Sequence, residues 1–225
     1  MSIMCAVYVP EGIVIAADSR MTGNLMFKTS DGKTQQQGMF SISDNAQKVF
    51  LLSKVKVGIS SCGMALIENK TISDYLRIFE IREVKKSDSV TDVAKKLQAY
   101  AYKYFPNVHF FVCGYEEEEP FVYDVSKELK RINMDNGNIR YASSWNGEQQ
   151  AITKLLNSQP PTPINHNIMP LKDAIDFAEF LIDVTIKLQR FEMKPKTCGG
   201  DIDVLVLTKD DAFWHQHKIL KPARK

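Results

Sequence analysis

The feature that most constrains this chain is the order of its apolar windows: short strand-like runs come in blocks, and helical windows come in pairs between them. Ile3 to Val9 and Ile13 to Ala17 are apolar runs joined by Pro10-Glu11-Gly12, the pattern of a β-hairpin. Lys48 to Leu52 and Val55 to Ser60 repeat it around Ser53-Lys54. Two helical windows follow. Ile72, Tyr75, Leu76 and Phe79 share one face of Glu68 to Ile81; Val93, Leu97 and Tyr100 share one face of Val90 to Tyr104. Strand signals return at His109 to Tyr115, Phe121 to Val125 and Ile139 to Ala142, with the acidic run Glu116 to Glu119 as a turn. Gly147 to Leu156 is a short helical window and Leu171 to Arg190 a long amphipathic one, and Asp203 to Leu207 and Ala212 to Ile219 close the chain as strands. Strand blocks separated by helix pairs predict an α+β fold, a four-layer αββα sandwich of two antiparallel sheets covered by helices.

The 225 residues suit one domain over 1–225, with a polar insertion or hairpin at about 22–45 that includes Asp31-Gly32 and the run Gln35 to Gln37. A hydrophobic share of 44% supports a sizeable core, and a net charge of +2 points to neither nucleic acid nor a membrane surface. The basic tail Lys218 to Lys225 reads as a solvated terminus. Cys5, Cys62, Cys113 and Cys198 are scattered without ligand spacing, so they read as reduced, and Cys113 as core. Pro10-Glu11-Gly12 interrupts the apolar start before the length of a signal or membrane segment, which makes the cytoplasm the default location. His215 and His217 alternate along the last strand, but no further ligand accompanies them, and neither a metal nor a cofactor is expected.

Gly12-Ile13-Val14-Ile15-Ala16-Ala17-Asp18-Ser19-Arg20 closes the first hairpin, and Asp18 stands sixteen positions after Ser2. Together with Gln47-Lys48-Val49-Phe50, Val57 to Gly63, Phe111 to Tyr115 and Cys198-Gly199-Gly200, these motifs resemble the proteasome β-subunit family of N-terminal-nucleophile (Ntn) hydrolases. The likeness runs along nearly the whole chain but skips the polar insertion. It implies Ser2 as the nucleophile once Met1 is removed, with Asp18 and Lys48 as its catalytic partners. It further implies Asn146 in a supporting role beside Gly147, and the backbone N–H groups of Cys62 and Gly63 as oxyanion donors. Peptide or protein substrates and a homo-oligomeric assembly are implied too, without a particular unfoldase partner. Ser2 replaces the family's usual Thr, and Lys194-Pro195-Lys196 stands where the family carries a supporting Asp.

The chemistry is coherent without the family. A serine hydroxyl needs a base, and a free α-amine with a pKa of about 7.7–8.0 is one near neutral pH. Because that amine belongs to the nucleophile's own residue, positioning it costs little entropy. A lysine held by Asp18 would add a fixed positive charge beside the forming alkoxide. Taken singly, Asp18-Ser19-Arg20 reads as a strand-end turn with a local ion pair, and Lys48 as a surface lysine. The joint spacing favours a peptidase or amide hydrolase. An amidase or peptide ligase on the same fold, and a catalytically degenerate structural subunit, are the alternatives.

Overall fold

A computed structural model describes residues 2–28 and 34–218. In chain order the first elements are β1 (Ile3–Val9), β2 (Gly12–Ala17), β3 (Met21–Lys28), β4 (Thr34–Ser43), β5 (Val49–Leu52) and β6 (Val57–Gly63). After them come β7 (Leu66–Ile67), β8 (Lys70–Thr71), α1 (Ile72–Arg82), α2 (Val90–Ala101), β9 (Val108–Glu116) and β10 (Glu119–Val125). Next are β11 (Leu129–Arg131), β12 (Met134–Asp135), β13 (Asn138–Ile139) and β14 (Ala142–Gly147). The last are α3 (Gln150–Leu156), α4 (Leu171–Gln189), β15 (Asp203–Leu207) and β16 (Ala212–Gln216). The fold is mixed α+β. One five-stranded sheet has the order β14-β1-β2-β15-β16, the other β11-β10-β9-β6-β5, and neighbouring strands in both are antiparallel.

Three apolar clusters organise these elements. Phe79, Leu97, Phe110 and Val112 belong to a cluster joining α1 and α2 to the second sheet. Ile3, Val7, Ala178 and Leu181 belong to one joining the first sheet to α3 and α4. Met4, Ile15, Phe111 and Leu205 belong to a third, drawn from both sheets. Odd positions of β1 therefore face α4 and even positions face the other sheet. Burial on both faces is why β1 and β2 read as unbroken apolar runs rather than alternating ones.

Several boundaries differ from the sequence reading, each for a local reason. The helix expected from Glu68 starts at Ile72, because Glu68 and Asn69 take positive φ and close a small β7–β8 turn. Thr71 then caps the helix by accepting the Asp74 N–H. The second helix ends at Ala101 and tightens into a 3₁₀ turn over Tyr102–Tyr104, and its start is a Ser89/Asp92 capping box. The strand expected at Ile139 to Ala142 is interrupted: Ile139 ends β13, and Ala142 begins β14, which continues to Gly147, so the following helix starts at Gln150 rather than Gly147. In the polar stretch at about 22–45, β3 and β4 pair with each other and, among the described residues, with neither five-stranded sheet, while residues 29–33 lie outside the described residues. Lys218, expected to be frayed, is buried against Asp203, while Ile219 and the rest of the basic tail lie outside the described residues.

Candidate active site

Strand β2 ends at Ala17, and the next residue, Asp18, is fully buried. A buried carboxylate is tolerable only with its lone pairs occupied. Here Oδ1 accepts the Ile3 N–H at 3.1 Å and the Lys48 ammonium at 2.7 Å. Oδ2 accepts the Arg20 N–H at 3.1 Å and the Gly199 N–H at 3.0 Å. One carboxylate thus joins the start of β1, the end of β2, the residue before β5 and the loop before β15. Lys48 is not a surface lysine: its side chain is 7% exposed, and its carbonyl accepts the Ser61 N–H at 2.9 Å. Such a pair adds little net stability, yet it fixes an ammonium in a defined place.

Ser2 is buried immediately before Ile3, and its carbonyl accepts the Glu148 N–H at 2.8 Å. This bond depends on Gly147, which has φ +100 and sits so close that a Cβ there would lie 1.9 Å from the Ser2 carbonyl oxygen. Gly147→Ala is expected to cost about 1–3 kcal/mol from the backbone conformation alone, with the steric overlap added. A urea midpoint equal to that of the unaltered protein would refute this account.

Ser2, Lys48, Ser61, Cys62 and Gly63 line one cavity of about 900 Å³. Asn146 is one step back from it. Its Oδ1 accepts the Gly147 N–H at 2.6 Å and is 3.7 Å from the Cys62 sulfur, so it holds the Gly147 turn and the thiol. The two expected oxyanion donors part company. Ser61 N–H points to β5, so strand alternation turns Cys62 N–H toward β9, where Cys62 is paired with His109. By the same alternation Gly63 N–H is turned away from β9. Gly63 has φ +102, and a side chain there would meet the Asn107 carbonyl at 2.2 Å. Both residues line the cavity, and of the two N–H groups that of Gly63 is the one the register does not turn toward β9.

Three supports were not legible in the sequence. Arg20 pairs not with Asp18 but with Asp44, through Nε at 2.6 Å and Nη2 at 2.8 Å, closing the base of the β3–β4 hairpin. That pairing raises the Arg20 pKa and lowers that of Asp44. Gln189, buried at the end of α4, accepts the Thr197 and Cys198 N–H groups at 2.9 Å each and donates to Thr197 Oγ1 at 3.1 Å. It fastens the segment that delivers the Gly199 N–H to Asp18, beside the stretch where the resembling family has its Asp. Asp203 accepts the Lys218 ammonium and faces His217 Nδ1 at 3.2 Å, and His217 stacks on Trp214. Among the described residues no group of three or more His, Cys, Asp or Glu side chains could hold a metal ion.

All four cysteines are free and buried. Burial pushes the Cys5 and Cys62 thiols from 9.0 to about 12, and raises those of Cys113 and Cys198 as well. A thiol in this state is a poor nucleophile. Iodoacetamide at pH 8 is therefore expected to modify none of the four in the native protein and all of them in urea. Because folding raises these pKa values, the associated stability is present below about 9 and is lost as pH climbs toward about 12. Denaturant midpoints measured across that window should fall steadily.

No family model matches this chain, and no curated protein is significantly similar to it. Among the described residues no helix is long and apolar enough to cross a membrane.

Proposed function

We propose that this protein is an Ntn hydrolase of the proteasome β-subunit type, cleaving peptide or amide bonds through an acyl-enzyme on Ser2. The observation that carries the reading is the sharing of Asp18 Oδ1 between the Ile3 N–H and the Lys48 ammonium. That oxygen ties the residue after Ser2 and a buried cation to one atom, at the wall of a cavity Ser2 itself lines. The three apolar clusters support a four-layer αββα reading of the fold, helices outside and sheets inside.

In the proposed reaction Met1 is first removed, freeing the Ser2 amine. The amine takes the hydroxyl proton as Oγ bonds to the substrate carbonyl carbon, and the oxyanion is met by Gly63 N–H. The carbon–nitrogen bond breaks, the departing amine carries off the proton, and an ester remains on Ser2. Water, deprotonated by the same amine, then cleaves the ester. Lys48 keeps positive charge beside these steps, where fixed charge in a water-poor site is most effective.

Intact mass spectrometry of the untagged protein, with and without an electrophilic proteasome inhibitor, tests the reading. The expected mass is one methionine below the encoded chain, with a single adduct mapping to Ser2. An active preparation that retains Met1, or an adduct on Cys62, would overturn it. A terminal nucleophile open to solvent would attack indiscriminately, so the proposal includes a homo-oligomer that encloses the site. Exposed Ile81 on α1 and Tyr102 after α2 are candidates for its contacts. Light scattering showing only a 25.6 kDa species at micromolar concentration would remove the enclosure argument.

A further inference from the structure

The hairpin β3–β4 lies in the stretch that the family resemblance skips, and it supplies one wall of the cavity beside Ser2. Its two strands pair only with each other among the described residues, and the Arg20–Asp44 ion pair closes its base. Its faces are distinct. Asn24 pairs across from Met39, and both line the cavity. One step along, Gly23 pairs with Phe40, and the space above Gly23 is taken by Phe40 and Ile42, which are exposed.

The cavity's chemistry is as uneven as its origin. Met21 from β3, Met39 from β4, Met64 from the turn after β6 and Ile72 from α1 converge on it from four elements. Unbranched thioether side chains re-form around varied apolar groups, so such a wall suits large apolar side chains of differing shape. Among the described residues that line it, none is acidic, whereas Arg20, Lys48 and Lys218 are cationic. Each of these cations is already paired, with Asp44, Asp18 and Asp203 respectively. A basic substrate side chain would meet only like charge, with no carboxylate to receive it. An acidic one would have to draw a cation from its present partner. Both losses favour a neutral apolar group.

We propose that the β3–β4 hairpin sets substrate specificity, with Met39 as its specificity-determining residue, and that the site acts on peptides presenting a large apolar side chain on the acyl side of the cleaved bond. The inference rests on Ser2 being the nucleophile.

The test uses the full untagged chain and short peptide amides with a fluorogenic leaving group. They differ only in carrying Met, Phe, Lys or Glu at the acyl position. The expected kcat/KM for Met and Phe exceeds that for Lys by 100-fold or more, with Glu also disfavoured. Met39→Glu should raise the Lys substrate at least tenfold relative to Phe, through KM rather than kcat, while Met39→Leu keeps the original order. A small electrophile lacking any side chain, read by mass on Ser2, separates the two levels of the argument. Labelling of Ser2 with a flat or basic-preferring substrate profile overturns the specificity proposal alone. A Lys:Phe ratio unmoved by Met39→Glu overturns the assignment to Met39. Absence of labelling overturns both the specificity proposal and the reading beneath it.

Discussion

Lys48→Ala is expected to abolish covalent labelling of Ser2 and to lower the unfolding temperature markedly in the same protein. The two effects have separate causes. Removing the ammonium takes away the positive charge held by Asp18 Oδ1, which in the proposed reaction would act on every step in which oxygen gains electron density. It also strands a fully buried carboxylate with three backbone donors in place of four donors. Breaking a buried pair by deleting one partner typically costs about 3–5 kcal/mol. For a chain of this size that corresponds to a fall of roughly 6–20 °C. Calorimetry and inhibitor labelling on one sample measure both effects. The double variant Asp18→Asn with Lys48→Met, which removes both charges, should regain part of the stability and none of the labelling. If Lys48→Ala labels at the rate of the unaltered protein, the ammonium has no part in the chemistry.

Ser2→Ala is expected to lose labelling by about three orders of magnitude or more, with an unchanged unfolding temperature. The position of residue 2 is set by its backbone: its carbonyl is held by the Glu148 N–H, and the next amide by Asp18. Neither bond involves the hydroxyl, so the fold does not depend on it. Ser2→Thr should retain labelling, because the added methyl restricts rotation about Cα–Cβ while leaving an oxygen in place. A Ser2→Ala protein that still acquires the adduct would move the nucleophile elsewhere. The raised thiol pKa values make cysteine a poor candidate for that place.

What the chain disclosed in advance followed from how local each signal is. The first hairpin was legible because both its faces are buried, so its runs are apolar without interruption. Ser2, Asp18 and Lys48 were legible as a joint spacing, and the geometry gathers Asp18 and Lys48 into an ion pair beside Ser2's neighbour. The start of β14 was misplaced because Tyr141 and Ala142 look alike to a periodicity argument, whereas the strand's end is set by Gly147 against Ser2, 145 positions away. Arg20–Asp44 and the hold of Gln189 on Thr197 and Cys198 are products of tertiary approach and leave no mark in spacing. The cavity wall was illegible for a similar reason. Which residues of 22–45 face Ser2 depends on the β3–β4 register, and its bulges shift the alternation by a residue.

The hairpin's isolation has a consequence for how such a protein can change. Among the described residues, β3 and β4 add no strand to either large sheet, and Arg20 and Asp44 stand as posts on either side of them. Loops gain or lose length at small thermodynamic cost when the frame around them is closed. The segment between these posts is therefore an exchangeable cassette: its length and lining can drift, or be redesigned as a library, while Ser2, Asp18 and Lys48 stay in register. In the proposed reading, recognition and bond-making would lie in different stretches of sequence, so that one could be re-evolved without rebuilding the other.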